Sequence, residues 1–116
     1  MDSNLSLELR GKNLSAVVFV QDYLQLQFDG AILTFMIFPT IEFGNCIISI
    51  EDSDYRNKLC EMIGKEVADV LYQENIKFSL LFEELKSISC SLNPEDYIAP
   101  EMIIFENKEE QRIVIF

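Results

Sequence analysis

The feature that most limits the folds open to this chain is a repeated order of structural punctuation. Leu9-Arg10-Gly11-Lys12-Asn13-Leu14 is followed by Val17, then by Leu24-Gln25-Leu26-Gln27-Phe28-Asp29 and Phe38-Pro39. Later, Met62-Ile63-Gly64-Lys65-Glu66-Val67 is followed by Val70, then by Phe78-Ser79-Leu80-Leu81-Phe82-Glu83 and Leu92-Asn93-Pro94. The Gly-Lys pairs stand 53 positions apart, Phe28 and Phe82 54, and the prolines 55. One-residue insertions in hairpin turns produce such a drift, although two unrelated β-meanders would share much of the same pattern. The pattern predicts a single domain, 1–116, containing two similar halves, 5–50 and 59–116. Gly30 of the first half has Glu84 as its counterpart, a departure from the repeat.

Each half reads as a meander of three or more strands. Leu24, Leu26 and Phe28 alternate with Gln25 and Gln27, a period of two that buries one face and wets the other. Asp29-Gly30 supplies the backbone freedom of a tight hairpin. The next strand, Ala31 to Phe38, is apolar on both sides, with Leu33, Phe35 and Ile37 on one and Ile32, Met36 and Phe38 on the other. Such a strand needs cover on two faces, from a helix, a second sheet or another subunit. Cys46 to Ile50 and Arg112 to Phe116 read as further strands. Between the halves, Tyr55, Leu59, Met62 and Ile63 form one helical stripe that packs on the sheet. Asp52, Ser53 or Asp54 caps its start and Gly64 ends it. The fold class expected is α+β, mainly antiparallel β-sheet built from two similar meanders with one central α-helix.

Twenty Asp and Glu against nine Lys and Arg give a formal charge of −11, spread over both halves with no polyacidic tail. A field of that sign repels phosphate backbones and anionic membranes and favours basic proteins, so direct nucleic-acid or membrane binding is not expected. An acidic surface also serves solubility alone. The cysteines, Cys46, Cys60 and Cys90, are odd in number and far apart, as suits free thiols in a reducing cytoplasm. Neither a signal peptide nor an apolar run long enough to span a bilayer is legible.

The chemistry available is narrow. With no histidine in the chain, nucleophile–histidine pairs and histidine acid–base catalysis are excluded. Gly11, Gly30, Gly44 and Gly64 stand singly, so no phosphate-binding glycine loop can be written. Paired carboxylates could be drawn from Glu51, Asp52 and Asp54 or from Glu95, Asp96 and Glu101, but the first set reads as helix capping and the second as a proline-stiffened turn. Glu51-Asp52-Ser53-Asp54 lacks the glycine and distal glutamate of a calcium loop. A non-enzyme with neither cofactor nor metal is expected. In Asn93-Pro94-Glu95-Asp96-Tyr97-Ile98-Ala99-Pro100-Glu101, two prolines and an aromatic ring among three carboxylates suit a basic partner. The same loop could equally join two strands, with Tyr97 and Ile98 packed on the core.

Gly-Lys followed by Val, an alternating strand ending in Phe-Asp or Phe-Glu, and Pro94-Glu95-Asp96-Tyr97-x-x-Pro100-Glu101 together resemble many small bacterial proteins. Some of these are similar to immunity proteins encoded beside contact-dependent inhibition and other polymorphic toxins. The likeness is best from Leu59 to Glu106. It implies a cytoplasmic protein that binds and neutralises a cognate toxin domain in a one-to-one complex, with a basic nuclease-like domain as the expected partner. The contact residues expected are Glu51, Asp52, Asp54, Glu95, Asp96, Tyr97 and Glu101. The competing expectation is a scaffold that self-associates, as a homodimer, through Ala31 to Phe38.

Overall fold

In a computed structural model, which describes residues 8–96, 102–107 and 112–114, ten antiparallel strands form two five-stranded sheets around one core. The first half contributes β1 (Ala16–Phe19), β2 (Leu24–Phe28) and β3 (Ala31–Phe35), then a hairpin of β4 (Thr40–Phe43) and β5 (Cys46–Ile48). Helix α1 (Tyr55–Cys60) follows. The second half contributes β6 (Asp69–Gln73), β7 (Lys77–Leu81) and β8 (Lys86–Ser91), a short 3-10 turn at Pro94–Asp96, then β9 (Ile103–Glu106) and β10 (Arg112–Val114). The fold is therefore α+β and mainly antiparallel, as the alternation and the lone stripe indicate.

Each hairpin leaves its own meander and completes the other one. One sheet runs β1-β2-β3-β9-β10 and the other β5-β4-β8-β7-β6. Leu33 faces Phe105 in the first, and Ile41 faces Ile88 in the second. The halves also meet at a short bridge between Asn13 and Glu66. Its hydrogen bonds are reciprocal: Gly11 N–H donates to Val67 O at 2.8 Å and Gly64 N–H to Leu14 O at 2.7 Å. Leu14 N–H donates to Lys65 O, and Val67 N–H to Lys12 O, both at 2.9 Å. Every one of these bonds has its counterpart 53 positions on, with donor and acceptor halves exchanged. Gly11 and Gly64 hold φ of +86° and +92°, the left-handed backbone that lets the chain turn into the bridge at little steric cost.

The core draws equally on both halves. Leu24, Leu26 and Phe28 point inward from the first sheet, Phe78, Leu80 and Ile88 from the second, and all are fully buried. The Phe35 and Phe78 rings meet between the sheets at 6.2 Å. Tyr55, Leu59 and Met62 are buried as the stripe predicts, whereas Ile63 is 44% exposed. The reason is that α1 ends at Cys60, so Ile63 lies in the turn before Gly64 and leaves the helical face. Asp54 holds the N-cap position without a side-chain cap bond. The Asp52 carboxylate instead accepts Ser49 N–H at 2.8 Å and stiffens the approach to the helix.

The apolar run Ala31 to Phe38 stops being a strand at Phe35. Met36 to Pro39 is the connection that carries the chain from one sheet to the other, and Met36, Ile37 and Phe38 are only half-buried. The fifth strand is likewise shorter than expected, ending at Ile48. Arg112–Val114 is a strand as expected, while residues 115–116 lie outside the described part.

Two acidic groups are buried beside the crossover, and one of them ties it to the core. Tyr55 Oη donates to Pro39 O at 2.5 Å, and burial raises its pKa well above the usual phenol value. Burial, with a smaller contribution from Asp96, raises Cys90 to about 12. Both groups are neutral in the fold and ionise more readily once unfolded. Stability is therefore full below pH 9 and falls as pH climbs from 9 towards 12, by up to about 1.4 kcal/mol per pH unit for each group titrating only in the unfolded chain. Tyr55→Phe is expected to lower stability by about 1–2 kcal/mol, because Pro39 O loses its buried donor. The same variant should show a shallower alkaline decline above pH 10. Urea titration between pH 7 and 11 reads both effects.

Candidate functional site: a groove on the outer face of the second sheet

The registers place three rows of side chains on the outward face of the second sheet. Ile47, Glu42, Ser87, Leu81 and Asp69 form the first row across β5, β4, β8, β7 and β6. Thr40, Ser89, Ser79 and Leu71 form the second, and Ser91, Lys77 and Gln73 the third. Serines occupy the middle of the face, so its centre is low and its margins stand above it. Ser79 and Ser89 hydroxyls share a hydrogen bond at 2.8 Å, which satisfies them without a base to activate either.

Two hollows open along this floor. One, of about 490 Å³, lies between the Gly44-Asn45 turn and the Leu81–Ser87 segment, with Leu85 at its rim. The other, of about 300 Å³, is bounded by Ile37, Phe38, Ile76, Lys77 and Ser91. Glu42 lines both, and its carboxylate reaches Lys77 Nζ at 3.6 Å between them. With both side chains substantially exposed, this ion pair contributes little to stability. Its effect is to divide the groove.

Exposed apolar side chains collect around this face. Leu85 is 82% exposed, Ile47 68%, Ile76 60% and Leu71 41%. Among the described residues the remaining large apolar side chain of comparable exposure is Ile63, beyond the helix. On strands β2 and β3 of the first sheet the outward face carries none of them, and there Gln25 covers Thr34 through a 3.4 Å hydrogen bond. The first four ring the trough, with Ile47 and Leu71 on opposite edge strands and Ile76 and Leu85 in turns at opposite ends of β7. Apolar side chains around a trough on a highly charged body suit an interaction surface.

The acidic residues singled out in the sequence border one end of this region. Glu51, Asp52 and Asp54 lie in the exposed turn before α1, and Glu95 and Asp96 in the exposed 3-10 turn. Asp52 is engaged with Ser49, and the Asp96 carboxylate accepts Ser91 Oγ at 2.6 Å. Ile37 and Phe38 line the 300 Å³ hollow with Ser91 on one side, and a 440 Å³ hollow with Glu51 and Asp22 on the other. The two acidic turns thus approach the same connection from opposite sides. Tyr97 and Glu101 lie outside the described residues.

Sequence reasoning missed Ile47, Leu71, Ile76 and Leu85, because apolar residues in a β-rich chain are assigned to the core by default. A signal was present in Ser87-Ile88-Ser89-Cys90-Ser91, whose alternation puts small hydroxyls on one face of a central strand. The structure also corrects the counterpart of Gly30. In the turn between β2 and β3 the left-handed residues are Asp29 and Gly30, and between β7 and β8 they are Glu84 and Leu85. Leu85, not Glu84, therefore stands where Gly30 does.

Among the described residues, no group of three or more His, Cys, Asp or Glu could hold a metal ion, and no helix is long and apolar enough to cross a membrane. Comparison with protein-family models, curated proteins and solved structures gives no match.

Cys46 and Cys60 are exposed and Cys90 is buried. Since the thiolate is the reactive form, Cys46 and Cys60 should react with a thiol reagent at pH 8 within minutes, and Cys90 only on unfolding. Mass spectrometry of labelled protein, with and without urea, reads the difference. Equal labelling of all three would contradict the core placement of Cys90.

Proposed function

We propose that the chain is an immunity-type binding protein that neutralises a toxin domain by covering a basic surface of it. The observation that carries this reading is the collection of Ile47, Leu71, Ile76 and Leu85 around one serine-floored sheet face on a body of net charge −11. The apolar side chains at its margins supply area to be desolvated. The surrounding negative field draws in a cationic partner and disfavours anionic ones. The sequence likeness to immunity proteins gives the class of partner, a cognate toxin domain, and the charge gives its sign.

Self-association through Ala31 to Phe38 has less support. Strand β3 sits mid-sheet between β2 and β9, its outward Thr34 is only 7% exposed, and a second copy would bring another −11.

The decisive experiment looks for a large secreted protein encoded beside this one, as the proposal requires, and pairs the protein with its C-terminal domain. Biolayer interferometry is expected to show binding whose on-rate falls steeply between 50 and 300 mM salt. Glu51→Lys with Glu95→Lys, which reverses charge on both acidic turns, should slow association about ten-fold at low salt and flatten the salt dependence. The fold should be unaffected, since both side chains are exposed. An unchanged on-rate would exclude these turns from the interface. A neutral or anionic natural ligand would overturn the proposal.

A further inference from the structure

The turn joining β7 to β8 holds a residue that local energetics do not select. Lys86 N–H donates to Glu83 O at 3.3 Å, and between them Glu84 and Leu85 hold φ of +63° and +60°. Two consecutive left-handed residues define a primed hairpin turn, where Asn-Gly, Asp-Gly and Gly-Gly are favoured. The first half uses Asp29-Gly30 at this place, with φ of +24° and +92°. The second half puts leucine there, whose Cβ crowds the neighbouring carbonyl in left-handed backbone. That leucine gains nothing by burial, being the most exposed large apolar side chain among the described residues. It is unfavourable twice over in the free protein. Strained residues held on a surface point to function.

Its surroundings define what it meets. On one side is the 490 Å³ hollow floored by Ser87 and walled by Leu81, Phe82 and the Gly44-Asn45 turn. On the other is a polar hollow of about 270 Å³ lined by Asn13, Gly64, Lys65, Glu66, Glu83 and Glu84. Three carboxylates against one ammonium leave that side negative. Lys86 pairs with Glu84 at 3.9 Å and lies 5.7 Å from the Phe43 ring, so Glu66 and Glu83 carry the remaining excess of negative charge.

We infer that Leu85 is the anchoring side chain of the binding face and that its occupant is a cationic polypeptide segment. An aliphatic or aromatic side chain of that segment enters the hollow beside Leu85, and an adjacent Arg or Lys meets Glu66, Glu83 and Glu84. This rests on the proposed binding function and deepens it by naming the anchor and the chemistry of the partner's contact.

The test uses Leu85→Gly and Leu85→Asn in the full chain. Glycine and asparagine both accept the left-handed turn, so both variants keep the hairpin while removing the anchor. Leu85→Gly should raise Tm by about 4 °C. Both should weaken binding of the toxin domain at least ten-fold, through a faster off-rate. In a parallel arm, twelve-residue peptides are selected by display on the wild-type protein. They are expected to pair Arg or Lys with Leu, Ile or Phe, to shift amide resonances of Leu81–Ser87, and to bind both variants at least ten-fold more weakly. If variants and wild type bind alike, or the selected peptides are acidic or shift other strands, the anchor is refuted. If the toxin domain fails to bind the wild type while the peptides behave as described, the inhibitor function falls and the anchoring site stands. A lowered Tm for Leu85→Gly would overturn the strain argument itself.

Discussion

The structure depends on one short antiparallel bridge. Four backbone hydrogen bonds, from Gly11, Leu14, Gly64 and Val67, join the segments that open the two halves. Each half donates two and accepts two. Gly11, Gly64 and Lys65 are exposed while Leu14 and Val67 are buried, so the bridge runs along the rim of the core, and each half supplies the hydrogen-bond partners of the other. Leu9 and Leu14 lie on one side of the relation, Met62 and Val67 on the other, and all four are fully buried. The bridge thus fixes where both meanders enter the core, and Ser15 and Ala68, the next residues, donate to Gln27 and Leu81 and start the meanders in matching ways.

Exchange of the hairpins makes that arrangement cooperative. Neither meander is complete without two strands from the other half, because β3 pairs β9 and β8 pairs β4. Contacts of this kind close long loops, and their entropy is regained only when both sheets assemble. The crossover Met36 to Pro39 is therefore under constraint from two sides. Met36 N–H donates to Met102 O at 2.8 Å, and Pro39 O accepts the Tyr55 hydroxyl. A half-buried connection carrying Ile37 and Phe38 between two hollows follows from this topology.

How much of this was legible in the sequence depends on whether the determinant is local. Alternation at Leu24, Leu26 and Phe28, the Asp29-Gly30 turn and the Tyr55, Leu59 and Met62 stripe are short-range signals, and each produced the element expected of it. The 53-residue spacing of the Gly-Lys pairs is visible by inspection, yet its geometric meaning needs the hydrogen bonds between Gly11 and Val67 and between Gly64 and Leu14. Which sheet a hairpin joins is set by pairings between residues far apart, such as Ile41 with Ile88, and no local pattern encodes that. The end of β3 at Phe35 is equally non-local. Of the candidate site, the acidic residues were legible from charge, but their partners were not: Asp52 and Asp96 turn out to brace loops. Leu85 was not singled out, because its exposure follows from a turn register that shifts by one residue after Phe82.

The same near-symmetry explains why, among the described residues, the centres of the two sheets differ in relief. The outward positions of the sheets correspond: Val18 to Leu71, Gln25 to Ser79, Thr34 to Ser89, Ile32 to Ser87. On the first sheet the central places carry Gln25 and Ile32, side chains long enough to fill the middle and to level the surface. On the second they carry serines, and the same backbone curvature becomes a trough with Leu71 and Leu81 along one margin and Ile47 and Glu42 along the other. Side-chain size at two or three central positions, not a difference in fold, separates a closed face from an open one. Replacing small by large at such positions would level the trough without altering a strand. A body whose halves share one architecture can thus carry a level face on one sheet and a trough on the other.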